Sequence, residues 1–404
     1  MSKNKGQSTQ VNASDILGNP DYPAISYGGY RQNTRDIQPT ISEIKEDLRI
    51  LYAMGFRLLR TYNVHLKEAS NLLQSIEELK KENPEFEMYV MLGAWIDCKN
   101  AWTDMPPIHD EESERNATEI ARAVELTNRY PDIVKIIAVG NEAMVHWAAA
   151  YFVQPWIILK WVNHLTDLRI KGELPKNLWI TSSDNFASWG GGGKEYHNED
   201  LNQLIRAVDF ISMHTYPMHD THYNPQFWGV LPQEEALPDT VKIMNAMLRA
   251  RDYAVSQYRS VVSYMKSLGI DKPVHIGETG WATHSNEHYG PEGSRATDEY
   301  KSGIYYKLMT EWCRQNKVSC FYFEAFDEQW KDSANPSGSE NHFGLINLRS
   351  EAKYAVWDLA DRGVLEGLTR DGRPIRKTYQ GNLDNLMKDV SIPPVNQTMQ
   401  KTER

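Results

Sequence analysis

Two glutamates in this chain each follow an apolar, β-branched run. Val134–Gly140 (VKIIAVG) leads into Asn141-Glu142, and Pro273–Gly277 (PVHIG) leads into Glu278. A carboxylate at the tip of a buried run is costly unless it finds a partner or serves a site. One such glutamate has an ordinary explanation as a structural hydrogen-bonding residue. Two of them, on strands facing each other across one barrel mouth, form a carboxyl pair. Such a pair can break a glycosidic bond. One carboxylic acid protonates the leaving oxygen, and the other attacks the anomeric carbon when the groups lie about 5–5.5 Å apart. Their surroundings must differ, so that the acid's pKa is raised and the nucleophile's stays low.

The elements that must position this pair are legible as a repeating pattern. Eight short apolar runs follow one another: Ala24–Tyr30, Arg57–Tyr62, Glu87–Ala94, Val134–Gly140, Asn177–Ser182, Val208–His214, Pro273–Gly277 and Val318–Glu324. Short, nearly continuous hydrophobic runs mark strands buried on both faces of a parallel sheet. Helical periodicity separates them, in Ile41–Met54 with Thr40 as N-cap, in Thr118–Tyr130 and in Tyr300–Gln315. Eight strands alternating with helices predict an α/β fold, a (β/α)8 TIM barrel in one domain. The rival, a doubly wound open sheet, lacks its glycine-rich phosphate loop, since Gly28-Gly29 after the first run is not GxGxxG.

The barrel is expected over residues 20–380, with 1–19 as a flexible N-terminal segment and 388–404 as a polar, disordered tail. Leu368–Tyr379, with its Asp371-Gly372 turn, is expected to close the barrel base. Three long connections stand out: Ile96–Asn116, Asp184–Asp200 with four glycines at 190–193, and Pro217–Pro238. In such barrels the loops at the C-terminal strand ends build the site. The glycine run reads as a lid or as a plain connector.

Composition narrows the partners. A net charge of −10 argues against nucleic acid or an anionic membrane, both of which need a basic surface. Twelve tryptophans and 21 tyrosines fit either a sugar-binding cleft or a large aromatic core. Trp95, Trp189, Trp228 and Trp330 lie on or beside the expected barrel mouth and are candidate stacking platforms, some of them core anchors instead. Cys98, Cys313 and Cys320 match no zinc motif and predict no disulfide framework. No metal site and no cofactor are expected; His219 and His222 share a loop without a convincing third ligand.

The motifs around the two glutamates resemble glycoside hydrolase family 17, in the clan of retaining glycosidases built on this barrel. The resemblance runs from about Tyr22 to Lys331. It rests on Asn141-Glu142, on Glu278-Thr279-Gly280-Trp281, on Arg60-Thr61-Tyr62, on His214-Thr215-Tyr216-Pro217 and on Phe326-Asp327-Glu328-Gln329-Trp330-Lys331. It implies Glu142 as acid/base, Glu278 as nucleophile, and Asn141 as ligand of the sugar 2-hydroxyl. It implies Arg60 as electrostatic support of the nucleophile and Tyr216 as a hydroxyl donor to it. Tyr27 and Trp281 would line the catalytic subsite, and Glu328 and Lys331 would bind sugar hydroxyls. The bland alternative for the last two is an i, i+3 ion pair. Asp327 and Trp330 depart from the plant pattern. His214 reads as a core histidine, and Glu324 has no assigned role.

The implied activity is retaining endo-hydrolysis of β-1,3-glucan of the laminarin type. A β-1,3-glucan transglycosylase using the same glutamates is the alternative, and a non-catalytic glucan-binding protein a further one. The expected partner is a neutral polysaccharide or oligosaccharide, met by a monomer with no membrane span. The substrate implies a periplasmic, cell-surface or secreted location with the leader removed, since no signal peptide is visible in this chain.

Overall fold

The computed structural model describes residues 11–396. Eight parallel strands close into a barrel, each hydrogen-bonded to its neighbours in sequence, with the first and last paired to each other. They are β1 (Ala24–Ser26), β2 (Leu58–Arg60), β3 (Tyr89–Ala94), β4 (Val134–Asn141), β5 (Trp179–Asn185), β6 (Ile211–His214), β7 (Val274–Gly280) and β8 (Cys320–Phe323). The expected barrel is borne out. Some strands are shorter than their apolar runs, and β7 is longer, carrying Glu278 inside the strand.

The helices include α1 (Ala13–Ile16), α2 (Ile41–Ala53), α3 (Lys67–Glu82), α4 (Arg115–Arg129), α5 (Pro155–Lys171), α6 (Glu199–Ala207), α7 (Pro217–Tyr223), α8 (Asp239–Ser267) and α9 (Glu299–Asn316). Thr40 caps α2 as expected. Its side chain accepts from the Glu43 N–H, and Glu43 reaches back to the Thr40 N–H at 2.8 Å, satisfying two otherwise orphaned donors.

The termini differ from expectation where they are described. Within the segment 1–19, residues 11–19 are folded. Ala13, Ile16 and Leu17 pack with Ala24, Leu58, Met91, Ile136, Phe210 and Phe321 into an apolar cluster at the N-terminal ends of the strands. This cluster, rather than Leu368–Tyr379, closes the barrel base. Leu368–Tyr379 instead lies against the outer helices, where the Arg370 Nε donates to Asp47 on α2 at 2.8 Å. Within the segment 388–404, residues 389–396 are docked. The Asn396 N–H donates to the Val230 carbonyl at 2.8 Å, and buried Lys301 donates to the Ser391 carbonyl at 2.6 Å. Residues 1–10 and 397–404 lie outside the described residues.

The long connections also have internal order. Ile96–Asn116 contains an antiparallel pair, Cys98–Lys99 with Ile108–Glu112. The glycine run is clamped under α8. Gly190 has φ +87°, and a Cβ there would lie 2.1 Å from the Tyr264 ring, so this segment packs as a connector. Cys98, Cys313 and Cys320 are buried free thiols.

Candidate active site

Strand register assembles the site. Asn141 on β4 pairs with Ser183 on β5, and His214 on β6 pairs with Glu278 on β7. Glu142 is the first residue past β4. Its N–H still donates to the Ser183 carbonyl at 3.0 Å, but its φ is +46°, a left-handed conformation that a glutamate rarely adopts. The turn behind it is held by buried Asp184, which accepts from the Met144 N–H and from the Ser188 hydroxyl, both at 2.7 Å. Such backbone strain persists only where the surroundings over-determine it.

Glu278 sits in a cage of donors. The Tyr216 hydroxyl donates to its Oε1 at 2.5 Å, and the Tyr62 hydroxyl to its Oε2 at 3.2 Å. The buried Arg60 guanidinium donates to that same Oε2, to the Gly277 carbonyl and to the Asn141 Oδ1. Burial alone would raise the Glu278 pKa. His214 in its protonated form, then the Arg60 charge and the Tyr216 hydroxyl, together outweigh it, and the carboxyl ends below its usual value.

Glu142 has the opposite environment. Burial first, and then the negative charge of Glu278, push its pKa up to about 8, with Arg60 and His219 partly offsetting them. His214 lies between the two carboxyls. Its Nδ1 is 3.1 Å from the Glu142 Oε1 and 4.0 Å from the Glu278 Oε2. Those two oxygens are therefore within about 7 Å of each other, a limit that admits a retaining pair at ~5–5.5 Å. Burial lowers the His214 pKa to about 4, so the ring is neutral at neutral pH. It has one N–H to share between Glu142 and Ser183, whose Oγ is 2.8 Å from Nε2.

The structure brings Glu142, Glu278, Asn141, Arg60 and Tyr216 together as expected from the sequence. It places the other expected contacts differently. Tyr27 is buried, its hydroxyl bound to Asp47 at 3.1 Å, so it offers no surface to a sugar. Trp281 is fully buried, with its Nε1 donating to the Ala296 carbonyl, and packs against Trp228 and Tyr305. Glu328 is buried beneath the loop after β1. Gly28 makes room for it, since a Cβ there would meet its Oε1 at 2.5 Å. Its oxygens accept from the Tyr30 N–H at 2.9 Å and the Trp330 Nε1 at 3.1 Å, and Lys331 lies 3.2 Å away. Lys331 is also paired with Glu324, over the Phe323 ring. The Glu324–Lys331–Glu328 group is thus an internal clasp after β8, and Glu324 is the partner of Lys331.

Among the tryptophans, Trp189 and Trp228 are core residues. Trp95 and Trp330 are partly exposed. Tyr62, read in the sequence only as part of the Arg60-Thr61-Tyr62 motif and given no role there, proves to be a second hydroxyl donor to Glu278, two residues after Arg60. Sequence reasoning missed Trp102, 58% exposed, stacked on Tyr151 at 5.1 Å and near Trp95. Nothing in the local pattern distinguishes Trp102 from any loop tryptophan. A separate polar cavity of about 550 Å³, lined by residues including Thr283, Glu299, Asp327 and Lys353, contains neither Glu142 nor Glu278. No group of His, Cys, Asp and Glu suited to a metal ion occurs among the described residues, and no described helix is long and apolar enough to cross a membrane.

Comparison with known proteins bears out the resemblance carried by the glutamate motifs. An endo-laminarinase from Formosa Hel1_33_131 is similar throughout, at 65% identity and a TM-score of 0.95, over 95% of this chain and 98% of that one. A glycoside hydrolase family 17 β-1,3-glucanosyltransferase from Rhizomucor miehei shares the fold at 19% identity and a TM-score of 0.57, over 83% and 96% of the two chains. An Aspergillus niger protein named as a glucan endo-1,3-beta-glucosidase is 24% identical over 331 residues, 79% of this chain. This chain spans 40% of that relative's length. The model of the BtgE/BtgC glycoside hydrolase domain matches residues 24–344, and with the barrel and its paired glutamates in place the chain belongs to that glycoside hydrolase family.

Proposed function

We propose that this protein hydrolyses internal β-1,3-glucosidic bonds of laminarin-type glucan with retention of configuration. One observation carries the chemistry: two carboxyls close together in opposed environments, Glu278 held low by protonated His214, by Arg60 and by the Tyr216 hydroxyl, Glu142 held high by burial and by Glu278. The substrate class is supported by the likeness to the Formosa endo-laminarinase.

Glu142, protonated at neutral pH, gives its proton to the glycosidic oxygen as Glu278 attacks the anomeric carbon. The bond to the departing sugar breaks and a glycosyl-Glu278 ester forms. Glu142, now a carboxylate, takes a proton from water, which attacks the same carbon and releases Glu278. Asn141 is held by Arg60 through its Oδ1, which leaves its Nδ2 to donate to the sugar 2-hydroxyl. Tyr62 and Tyr216 hold the Glu278 carboxylate in line for attack. A polymeric substrate of this kind is met outside the cytoplasm, and we place the working enzyme there.

The test is hydrolysis of laminarin followed by chromatography and by NMR of the first anomer formed. Short β-configured oligosaccharides from laminarin, with cellulose untouched, are expected. Products longer than the substrate would make transglycosylation the main reaction. An α-anomer would overturn the retaining assignment, and no turnover of any glucan would overturn the enzyme reading.

A further inference from the structure

His219 is on α7, three residues after Tyr216, and has no part in the chemistry above. Its imidazole stacks on the Tyr216 ring at 5.2 Å and 24°. On its other sides it packs against Tyr289 at 5.4 Å and Phe343 at 6.0 Å, from the loops after β7 and β8. Its Nε2 is 3.5 Å from the Oε1 of Glu340, in the loop after β8. Both side chains are partly open, at 32% and 47% exposure. An ion pair so exposed adds little to stability. Its effect is on position and on local charge.

We propose that His219 and Glu340 are a positioning pair for the active site, Glu340 holding His219 and His219 holding the Tyr216 ring against the nucleophile. The inference rests on the roles given above to Glu142 and Glu278. The titratable groups facing His219 are Tyr216, Asp220, Tyr289, Glu340 and Glu142. Burial works against its protonation. Glu340 first, then Glu142 and Asp220, outweigh burial and raise its pKa above the usual value. The Glu340 carboxyl is lowered in turn, mainly by His219 working against burial.

Each partner acts on Glu142 with opposite sign. The imidazolium lowers the Glu142 pKa and the Glu340 carboxylate raises it. Wherever His219 carries its proton, removing the imidazolium alone leaves Glu340 unopposed, and Glu142 then holds its own proton more tightly. Removing both restores balance. A side chain serving only as a spacer would show no such reversal.

The experiment measures kcat/KM against pH on a laminarin oligosaccharide for the wild type, His219→Gln, His219→Phe and the double variant His219→Gln/Glu340→Gln. Melting temperatures check each fold. The alkaline limb is expected to move to higher pH in both single variants in proportion to the fraction of His219 protonated there, which the NMR titration gives, and to return toward the wild type in the double variant. His219→Phe, which keeps a ring against Tyr216, should retain more kcat than His219→Gln. In an NMR titration the His219 imidazole should titrate above 6.5 in the wild type and lower in Glu340→Gln. A His219→Gln variant with wild-type kcat and an unchanged pH profile, or a His219 titration indifferent to Glu340→Gln, would overturn the pair. A wild type that inverts or turns nothing over would defeat the glutamate assignment instead, while the NMR titration would still decide the pair.

Discussion

At the scale of single residues, the two glutamates differ by what surrounds them rather than by their own chemistry. Their environments set a bell-shaped pH profile. The proposed mechanism requires Glu278 ionised and Glu142 protonated, so activity should decline on the alkaline side near pH 8, read as kcat/KM against pH. Tyr216→Phe removes a 2.5 Å donor from the Glu278 carboxylate. It should move the acid limb to higher pH and lower kcat about 10- to 100-fold, since a hydrogen bond to a charged group contributes roughly 1.5–3 kcal/mol. Glu278→Gln should abolish turnover with the fold intact. Glu142→Gln should be crippled on glucan but partly rescued, in formation of the glycosyl-enzyme, by a substrate with an activated leaving group. Equal activity of either variant on glucan would refute the assignment. Glu142 also bears on stability. Its folded pKa of about 8 exceeds the ordinary 4.5, so the native state binds a proton that the unfolded chain releases between those values. The stabilisation is complete below about 4.5 and is lost as pH rises through 8. Glu142→Gln should therefore raise the melting temperature relative to wild type at pH 8 more than at pH 4.

At the scale of elements, the connection after β3 matters most. The Cys98–Lys99 and Ile108–Glu112 pair is anchored to α5, where the Trp161 Nε1 donates to Glu112 at 2.7 Å. It presents Trp102, at φ +63°, stacked on Tyr151 from the connection that follows Glu142. An exposed ring so placed is suited to packing on a sugar face. Trp102→Ala should raise KM for long laminarin chains about two- to tenfold, the equivalent of ~0.5–1.5 kcal/mol for one aromatic contact. The melting temperature should stay near that of wild type, because the ring is mostly in solvent. An unchanged KM would remove Trp102 from the cleft. The connection's length was plain in the sequence, but its internal ladder was not, because a two-residue strand carries no periodicity and its five-residue partner, IHDEE, is mostly polar.

At the scale of the whole molecule, the barrel is sealed at the base by a segment from outside the repeating β/α pattern. Ile16 is fully buried among residues from the strand ends. Ile16→Ala should destabilise the protein by about 2–5 kcal/mol in denaturant titrations, as buried large-to-small changes do. kcat at 25 °C should not change, because the base is at the opposite end from the glutamates. The polar start of the chain concealed this role. Only a few apolar residues (Val11, Ala13, Ile16 and Leu17) interrupt it, too few to declare a helix. The C-terminal strap was hidden for a related reason, since its hold on the barrel is made by scattered polar contacts, backbone bonds to Val230 and side-chain bonds through Lys301, Asp298 and Asn396, that follow no periodic pattern.

The sequence by itself determined the barrel, because eight buried strands announce themselves as continuous apolar runs and the intervening helices by their own period. It also determined the glutamate pair with Arg60, Asn141 and Tyr216, because each lies near the C-terminal end of a strand, Glu278 within its last three residues and the others at or just beyond theirs, and the barrel topology delivers those ends to one mouth. Only the tertiary structure decided which other residues face the cleft. Tyr27, Trp281 and Glu328 carry the right side chains near the right strands, yet each found an internal partner and is buried. Position along a strand or motif sets which end of the barrel a residue reaches. Whether its side chain then turns to solvent or to a neighbour depends on partners distant in sequence, such as Asp47 for Tyr27 and Tyr30 for Glu328, and those meet only when the chain folds.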